Sequence, residues 1–305
     1  MSGPFAQPID ASTRFCAVYG YPVRHSASPA MQNAGLAALG LNWRYLACEV
    51  HPDDLRAAIK GAQAMSFIGL NLTVPHKLLA ADMVDVLDES ARSWGAVNTI
   101  RFEGKDGHGV WRSLREFTEA PCQTRSHGFN TDADAIARSL REDLGVELRG
   151  ARVLLLGAGG AGRPAALKLA AQRVAEVCLV NRTRSKAGAV ADEIRQRSPE
   201  VKVTLGYPEG PVDLVLNATS LGLKADDPLP IDERQFPLGR AGAVYDMVYR
   251  PAETTFLKAA KAAGCRSANG LGMLLYQGAA ALELWTGQTA PVEDMRRGLE
   301  RNVYG

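Results

Sequence analysis

Long hydrophobic runs and an excess of one charge are both missing from this sequence of 305 residues. No apolar stretch approaches the roughly 20 residues that a membrane-spanning helix needs, and the net charge is only +2 at pH 7. Without a surplus of either sign, nothing indicates nucleic acid or a membrane surface as a partner. The N-terminal stretch MSGPFAQPIDASTRF has no basic region followed by an apolar core, so we expect no signal peptide and a cytoplasmic protein.

Cysteine is also scarce, and its positions argue against two kinds of site. The five cysteines are odd in number, scattered and without the spacing of metal ligands. We therefore expect reduced thiols rather than a disulfide framework, and no metal site. The five residues are Cys16, Cys48, Cys122, Cys178 and Cys265.

What the sequence does contain is a nearly continuous alternation of strand and helix patterns. Its apolar share, 46%, is that of an ordinary globular protein, and its length suffices for one large or two medium domains. The alternation predicts an α/β fold with a mostly parallel sheet covered by helices. In the first part we predict the strands RFCAVYG, WRYLACEV, FIGLNLTV and GAVNTIRF, and the helices SPAMQNAGLAALG, PDDLRAAIKGAQAM and KLLAADMVDVL.

A second set of strand and helix patterns begins at Arg149 and is followed by two long helical stretches. The two stretches are LGMLLYQGAAALELWTG and PVEDMRRGLERNVYG, whose apolar stripes need a surface to cover. We therefore predict one domain over 1–133, a second over 134–269, and C-terminal helices over 270–305 that pack back on the first domain.

One segment interrupts the alternation, between NTIRF and GFNTD. It holds about two dozen residues rich in Gly, Arg and His, and its middle part, VWRSLREF, could form a short helix. Long connections of this kind are often functional lids. Two interpretations stay open: a flap near the mouth of a substrate site, or a surface excursion packed on its own domain.

The stretch LLLGAGGAG carries glycines in the G-x-G-x-x-G spacing, at Gly157, Gly159 and Gly162. The glycines follow an apolar strand and precede a helix, and this context predicts a dinucleotide site rather than a turn used only for close packing. The helix N-terminus would offer free N–H groups to a pyrophosphate. The candidate cofactor-binding residues of this turn are Gly157, Ala158, Gly159, Gly160 and Ala161.

The end of the next strand indicates which dinucleotide binds. A site for NAD usually has a carboxylate there for the ribose hydroxyls, whereas this sequence reads VNRTRSK. Three cations without a carboxylate suit the 2′-phosphate of NADP, which Arg binds with paired donors. We predict NADP(H) as the cofactor, with NAD as a secondary one; the alternative is a solvated basic loop. The candidates are Asn181, Arg182, Thr183 and Lys186.

The stretch GLNLTVPHK poses a separate question, because Lys77 lies where a helix should begin. A cation at a helix N-terminus opposes the macrodipole. Lys77 is therefore either a solvated surface charge or a residue that a cleft holds for a chemical purpose.

Taken together, the motifs resemble the shikimate dehydrogenase family over nearly the whole chain. The resemblance rests on their joint occurrence in this order: GYPVRHSASPAMQN, GLNLTVPHK, GAVNTI, NTD, GAGGAGR, NRTRSKA, NATSLG, YDMVYRP and NGLGMLLYQGA. It implies an N-terminal substrate-binding domain completed by the C-terminal helices, and a Rossmann-type NADP domain inserted between them. It also implies a role in the chorismate pathway of aromatic amino acid biosynthesis.

The resemblance assigns roles to individual residues. It implies that Lys77 and Asp132 are the catalytic pair, and a lysine beside a carboxylate can indeed shuttle the proton that ketone reduction requires. Ser26 and Ser28, two apart on a segment expected to be extended and so on one side of it, would bind the substrate carboxylate. The other implied substrate ligands are Asn71, Thr73, Asn98, Tyr249 and Gln277. Further implied cofactor contacts are Thr219, Met247 and Gly270, the last two beside the nicotinamide.

Some positions depart from the family pattern, so the choice of substrate stays open. Ala133 follows Asp132 where the family usually has glycine, and Phe129 stands where aspartate is frequent. The expected reaction is the reversible NADPH-dependent reduction of 3-dehydroshikimate to shikimate by a monomer or homodimer. The alternatives are an oxidative quinate/shikimate dehydrogenase using NAD or NADP, a reductase of another small hydroxylated acid, and a catalytically silent ligand sensor. No role is implied for His25 or His76, which we take as structural.

Overall fold

Strands and helices alternate along residues 9–305, the part of the chain that the computed structural model describes. The predicted α/β class is confirmed. No helix in this part is long and apolar enough to cross a membrane. The stretch from which we predict the absence of a signal peptide begins outside the described residues, and that prediction stays a prediction.

The strands and helices are numbered in the order in which they occur along the chain. Up to the middle of the chain they are β1 (Arg14–Gly20), α1 (Ser28–Ala38), β2 (Trp43–Glu49), α2 (Leu55–Ala64), β3 (Gly69–Leu72), α3 (His76–Leu79), β4 (Val86–Leu87), α4 (Glu89–Trp94), β5 (Thr99–Lys105), β6 (Trp111–Ser113), β7 (Thr124–Phe129) and α5 (Asp132–Leu144). They continue with β8 (Arg152–Leu156), α6 (Gly162–Ala171), β9 (Glu176–Val180), α7 (Arg184–Arg197), β10 (Lys202–Leu205), β11 (Val212–Asn217), β12 (Ala241–Asp246), α8 (Thr255–Ala262), β13 (Arg266–Asn269), α9 (Leu271–Thr286) and α10 (Val292–Tyr304).

The chain divides into two compact units. The first unit runs to Ala133 and also takes in Leu275–Val303 and Gly305. The second runs from Asp134 to Leu274 and includes Tyr304. One division falls within the first turn of α5 and the other inside α9, so two continuous helices pass from one unit to the next.

The sheet of the first unit is mixed. Its strand order is β2-β1-β3-β5-β7-β4, with β6 paired to β5. Strands β1, β2 and β3 are parallel, but β5 is antiparallel to both β3 and β7. The predicted mostly parallel sheet is therefore wrong for this unit beyond β3. Because β5 is antiparallel to both neighbours, β7 runs in the same direction as β3 and β1. Strands β1, β3 and β7 therefore all end at one edge of the sheet, where β5 begins. We call this edge the carboxyl edge of the first sheet.

Helix α9 lies against this sheet through a close fit between Trp285 and Gly69. The indole of Trp285 is fully buried, and its Nε1 donates to the Ile100 carbonyl at 2.9 Å. A Cβ at Gly69 would overlap the indole ring and the same carbonyl. Only glycine at this strand position lets the helix approach so closely.

The predicted helix over KLLAADMVDVL is wrong beyond its first turn. Helix α3 ends at Leu79, a 3-10 turn covers Ala80–Asp82, and β4 follows. The carbonyl of Lys77, which would accept from residue 81 in a longer helix, accepts instead from the N–H of Val97 at 2.8 Å. A distant part of the chain thus takes the hydrogen bond that would have propagated the helix.

The inserted segment lies away from the carboxyl edge, so the flap interpretation is wrong. The segment forms β6, antiparallel to the far end of β5, and a 3-10 turn at Leu114–Glu116, rather than the short helix considered for VWRSLREF. Arg14, the first residue of β1, donates to the carbonyls of Leu114 and Phe117 and fixes the segment at the opposite end of that strand. The alternative, an excursion packed on its own unit, is the one observed.

The second unit contains a six-stranded, fully parallel sheet. Its order is β10-β9-β8-β11-β12-β13, which, numbered within the unit, is 3-2-1-4-5-6. This is the strand order of the Rossmann fold, so the predicted Rossmann-type domain is confirmed. In such sheets ligands bind beyond the carboxyl ends of the strands, where the order reverses, here between β8 and β11.

The fit around Trp285 leads to a stability prediction. Gly69→Ala should destabilise the first unit by about 1–3 kcal/mol, because the added methyl group must displace a buried ring and a backbone carbonyl. Urea unfolding followed by tryptophan fluorescence measures this, since the four tryptophans lie in that unit: Trp43, Trp94, Trp111 and Trp285.

A second glycine of the same unit provides the control. A Cβ at Gly61, inside α2, meets nothing within 4 Å. Gly61→Ala should therefore stabilise the unit by about 0.5–1 kcal/mol, since alanine is the better helix former. An unchanged urea midpoint for Gly69→Ala would contradict the close fit.

Candidate active site

The structure brings Lys77 and Asp132 together. The Nζ atom of Lys77 donates to Oδ2 of Asp132 at 2.8 Å, and 33% and 17% of the two side chains are exposed. Lys77 is the second residue of α3 and Asp132 the first residue of α5, directly after β7. The lysine at the helix start is thus held by a carboxylate in a partly buried position rather than left in solvent.

The backbone around Lys77 is anchored on both sides. The N–H of His76 donates to the Thr73 carbonyl at 2.8 Å, and the Lys77 carbonyl accepts from Val97. The buried His76 ring contacts the Val50 carbonyl through Nε2 at 2.9 Å. Burial lowers the pKa of His76, which favours a neutral ring that donates from Nε2. These contacts fit the structural role expected of His76.

Two predicted substrate ligands, Asn71 and Asn98, are joined by a buried hydrogen-bond network. Nδ2 of Asn71 donates to the Asn98 carbonyl at 3.2 Å and to Oγ1 of Thr99 at 3.0 Å. Oδ1 of Asn98 accepts from the Thr131 N–H at 2.8 Å, and its Nδ2 donates to Oγ1 of Thr131 at 3.0 Å. Thr131, a member of this network, directly precedes Asp132 in the chain. It leaves Asn98 with one amide hydrogen for which no acceptor is seen among residues 9–305.

Sequence reasoning missed Thr99 and Thr131 as part of this site. Both hydroxyls bond to Asn98, and they lie 3.2 Å from each other. Thr131 stands inside the NTD element and Thr99 directly follows Asn98. Both could therefore have been proposed as candidates because they adjoin predicted ligands in the sequence. Only the register of β3, β5 and β7 shows that they share one cluster.

Tyr45 connects the serine pair to the same network. Its buried hydroxyl donates to Oδ1 of Asn71 at 2.7 Å, and the neighbouring Ser28 side chain partly offsets the rise that burial causes in the pKa of Tyr45. Ser28 opens α1, and Ala27 before it has helical backbone angles, so the expected extended segment is absent. A turn nevertheless keeps the serines adjacent, with the Ser28 N–H 3.3 Å from Oγ of Ser26.

The remaining predicted substrate ligands fall in both units. Thr73 follows β3 at the carboxyl edge and packs its methyl group against Gly20, where a Cβ would overlap it. Gln277 lies on α9, partly exposed, within the first unit, whereas Tyr249 is partly exposed in the second unit after β12.

The glycine turn of the second unit is tightly packed on one side and exposed on the other. Gly157 adopts φ +103° and donates to the Val180 carbonyl at 2.8 Å, and a Cβ at Gly162 would collide with the Gly157 carbonyl. In contrast, Gly159 and Gly160 are exposed, and a Cβ at either meets nothing within 4 Å. The backbone is therefore open to a ligand at the start of α6.

The loop after β9 is linked to that turn by Asn181. Its Oδ1 accepts from the Ala158 N–H at 3.0 Å, and its Nδ2 donates to the Thr183 carbonyl at 2.8 Å. Arg182 and Lys186 are exposed, and neither forms an ion pair within residues 9–305. Both cations are therefore available to an anionic ligand.

Two other arginines nearby are already neutralised. Arg163, in the first turn of α6, binds Glu193 through Nε at 2.8 Å and Nη2 at 2.6 Å. Arg197 binds the same carboxylate at 2.8 Å. The arginine side chains of this region without an ion pair among the described residues are therefore found in the loop after β9 rather than in α6.

The ends of β11 and β12 carry the remaining cofactor candidates. The N–H and Oγ1 of Thr219 donate to Oδ1 of Asn217 at 3.0 and 2.7 Å. The Met247 N–H donates to the Asn217 carbonyl at 2.9 Å. A Cβ at Gly270 would overlap the Met247 carbonyl, so only glycine fits beside Met247.

Three family models match consecutive parts of the chain. The shikimate dehydrogenase substrate binding domain matches residues 18–100, the shikimate / quinate 5-dehydrogenase family matches 138–219, and the shikimate 5′-dehydrogenase C-terminal domain matches 270–300. The three regions together include most of the candidate residues described above.

Curated relatives align with the chain over nearly its full length. A shikimate dehydrogenase (NADP(+)) of Moorella thermoacetica is 42% identical, covering 95% of this chain and 94% of its own. One of Methanopyrus kandleri is 37% identical, covering 95% of this chain and 96% of its own.

Solved structures of similar fold differ in their named activities. A shikimate dehydrogenase in complex with NADP+ has a TM-score of 0.81 and 33% identity, covering 99% of both chains. A 5-ketofructose reductase from Gluconobacter has a TM-score of 0.79 and 33% identity, covering 96% of this chain and 99% of its own. A quinate dehydrogenase from Corynebacterium glutamicum in complex with NAD has a TM-score of 0.77 and 28% identity, covering 95% and 99%.

Proposed function

This chain belongs to the shikimate dehydrogenase family, and on that premise we propose that it interconverts 3-dehydroshikimate and shikimate with NADP(H). The observation that carries the proposal is the Lys77–Asp132 pair, 2.8 Å apart and next to the polar network of the carboxyl edge. The Rossmann-type sheet with an open glycine turn supplies the second requirement, a place for the dinucleotide.

Lys77 and Asp132 have the chemistry that the reaction needs. A lysine ammonium that donates one hydrogen to a carboxylate keeps two for a substrate oxygen. Reduction of a ketone leaves an alkoxide that takes up a proton, and oxidation of the alcohol releases one. We assign this proton to Nζ of Lys77, while Asp132 holds Nζ in place and balances its charge.

The polar groups of the carboxyl edge suit a small hydroxylated acid. We assign the hydroxyls of Ser26 and Ser28 to the carboxylate, and the unused amide hydrogen of Asn98 to a ring hydroxyl. Because Asn98 is fixed by Thr131 and Thr99, it is organised before a substrate arrives, which reduces the entropic cost of binding. The other ligands that we propose are Asn71, Thr73, Tyr249 and Gln277.

For the cofactor we propose NADP(H), with NAD as a weaker alternative. The bound cofactor would accept or donate the hydride. The exposed turn at Gly159 and Gly160 would receive the pyrophosphate, and the unpaired Arg182 and Lys186 the 2′-phosphate. The other residues that would hold it are Gly157, Ala158, Ala161, Asn181, Thr183, Thr219, Met247 and Gly270.

An oxidative quinate/shikimate dehydrogenase is the second candidate. The likeness to a quinate dehydrogenase favours it, but that relative is named as a complex with NAD, whereas the loop after β9 here has free cations and no carboxylate.

The cysteines are all unpaired, which fits a reducing compartment, so we propose the cytoplasm as the location of this protein.

Initial rates with shikimate and quinate, each with NADP+ and NAD+, test the proposed function. We expect the highest kcat/KM for shikimate with NADP+. A preference for quinate with NAD+ would support the second candidate. Binding of shikimate without turnover, measured by calorimetry, would indicate a ligand sensor instead.

Removing the lysine tests the chemistry. Lys77→Ala should lower kcat by about a hundredfold to ten-thousandfold, since a positioned proton donor contributes about that much, with little change in the KM for shikimate. Lys60 is a matched control because its Nζ also pairs with an aspartate, Asp85, at 3.0 Å, but away from the site. Lys60→Ala should retain normal kcat, and a kcat for Lys77→Ala within threefold of wild type would remove Lys77 from the mechanism.

Removing an arginine tests the cofactor. Arg182→Ala should raise the KM for NADP+ by about tenfold to a hundredfold, since a hydrogen bond to a charged group contributes about 1.5–3 kcal/mol, and leave the KM for NAD+ nearly unchanged. Arg195, on α7 and paired with Asp192 at 2.8 Å, is the control; Arg195→Ala should change neither constant. If the ratio of kcat/KM for the two cofactors does not move in Arg182→Ala, the basic loop is only a solvated surface.

A further inference from the structure

A buried carboxylate that the proposed reaction does not use lies at the carboxyl end of β12. Asp246 is completely buried and accepts hydrogen bonds from Oγ1 of Thr254 at 2.6 Å, Nδ2 of Asn217 at 2.9 Å and the Val248 N–H at 3.1 Å. All three donors are neutral. Burial raises the pKa of Asp246, against the effect of these hydrogen bonds. Burying a carboxylate without a cationic partner costs free energy, so the presence of Asp246 here calls for an explanation beyond local stability.

The three donors come from three different segments. Asn217 ends β11 and is the register partner of Asp246, Val248 belongs to the loop after β12, and Thr254 caps the N-terminus of α8 by accepting from the Leu257 N–H at 3.2 Å. A single side chain therefore joins the end of β11 to the loop that follows β12 and to the start of α8.

Asn217 extends the constraint into the loop after β11. Its Nδ2 also donates to the Leu221 carbonyl at 3.1 Å, while its Oδ1 accepts both hydrogen bonds from Thr219. Gly222, with φ +109°, closes the loop against Thr254, whose Cγ2 would lie 3.2 Å from an added Cβ. Once Asp246 fixes the amide of Asn217, the position of Thr219 is fixed as well.

The loop after β12 is constrained in the same way. The Met247 N–H donates to the Asn217 carbonyl, and the Val248 N–H donates to Asp246. The Val248 carbonyl accepts from the Gly270 N–H at 3.5 Å. Met247 is thus bonded to the end of β11, and the next residue, Val248, is bonded to both Asp246 and Gly270.

We propose that Asp246 is a positioning residue whose buried carboxylate sets the loops carrying Thr219 and Met247, and with them the nicotinamide end of the dinucleotide site. The inference rests on the proposed function. The residues proposed for the adenosine end follow β8 and β9, and none of them bonds to Asp246, Asn217 or Thr254 within residues 9–305. Asp246 should therefore affect one half of the dinucleotide and not the other.

The experiment compares two probes by calorimetry without substrate: NADP+, and adenosine 2′,5′-bisphosphate, which has only the adenosine end. In Asp246→Asn an amide NH2 replaces either the oxygen that accepts from Thr254 or the oxygen that accepts from Asn217 and Val248, so at least one of these hydrogen bonds must be lost or reversed. We expect the dissociation constant for NADP+ to rise about tenfold and that for the bisphosphate to stay within twofold. Equal weakening of both probes, or no weakening of either, would overturn the proposal.

A control variant separates positioning from stability. Glu176 is another buried carboxylate of the same sheet, bonded to Arg152, Lys202 and Thr204 at 2.9–3.0 Å, but at the amino end of β9. Glu176→Gln should lower the melting temperature and leave both dissociation constants within twofold. A selective loss of NADP+ affinity in Glu176→Gln would mean that any buried carboxylate acts this way, and would overturn the assignment to Asp246.

Two variants at Thr254 keep the proposal testable if Asp246→Asn does not fold. Thr254→Val removes the hydroxyl at nearly constant shape and should reproduce the selective loss for NADP+, whereas Thr254→Ser keeps the hydroxyl and should restore binding. Equal affinities in these two variants would count against the proposal. If the unmutated protein binds neither probe, the proposal of NADP(H) as the cofactor is wrong, and the inference about Asp246 is wrong as well.

Discussion

Parallel strand pairing is the constraint on which both candidate sites depend. In the second unit it puts the ends of β8, β9, β11 and β12 at one edge of the sheet, so the glycine turn, the basic loop and the loops after β11 and β12 share a side. In the first unit β1, β3 and β7 end together in the same way. Most of the candidate site residues lie at the ends of these strands or in the segments that leave these edges, whereas the inserted β6 pairs with the far end of β5.

Strand β5 modifies this plan in the first unit. Because it runs antiparallel to β3 and β7, it brings its amino end to the edge where its neighbours finish. Asn98 and Thr99 therefore meet Asn71 and Thr131, although these residues are widely separated in the chain. The same reversal places Val97 where its N–H reaches the Lys77 carbonyl. One antiparallel strand thus both orders the polar network and ends the helix that carries the lysine.

The features that could be predicted from the sequence are those fixed locally. The strand–turn–helix context of Gly157 and Gly162 predicts the Rossmann-type unit because the turn needs glycine whatever surrounds it. The helix over KLLAADMVDVL could not be rejected from its residues, since what ends it is a hydrogen bond from Val97. The position of the inserted segment could not be predicted from the sequence either. The segment is close to Asp132 in sequence, but the length of strand β7 separates the two in space. Thr99 and Tyr45 were missed because their roles exist only through strand register and helix packing.

The buried carboxylates show how charge is distributed between structure and function in this fold. At Glu103 burial opposes ionisation, but hydrogen bonds from His127, Arg101 and Arg125 outweigh it and lower the pKa to about 2. At Glu176 burial is likewise outweighed, by Lys202, Thr204 and Arg152, and the pKa is again about 2. Asp246 is different: only neutral groups donate to it, and burial raises its pKa. Cations bond to Glu103 and Glu176, and neither residue is among those proposed for the substrate or the cofactor. With only neutral donors, the carboxylate of Asp246 has no counter-ion near the proposed nicotinamide end, where hydride transfer changes the charge of the ring, whereas a paired cation would cancel its charge. Hydrogen bonds from neutral groups thus hold the loops at this end of the site, in place of the ion pairs that hold Glu103 and Glu176.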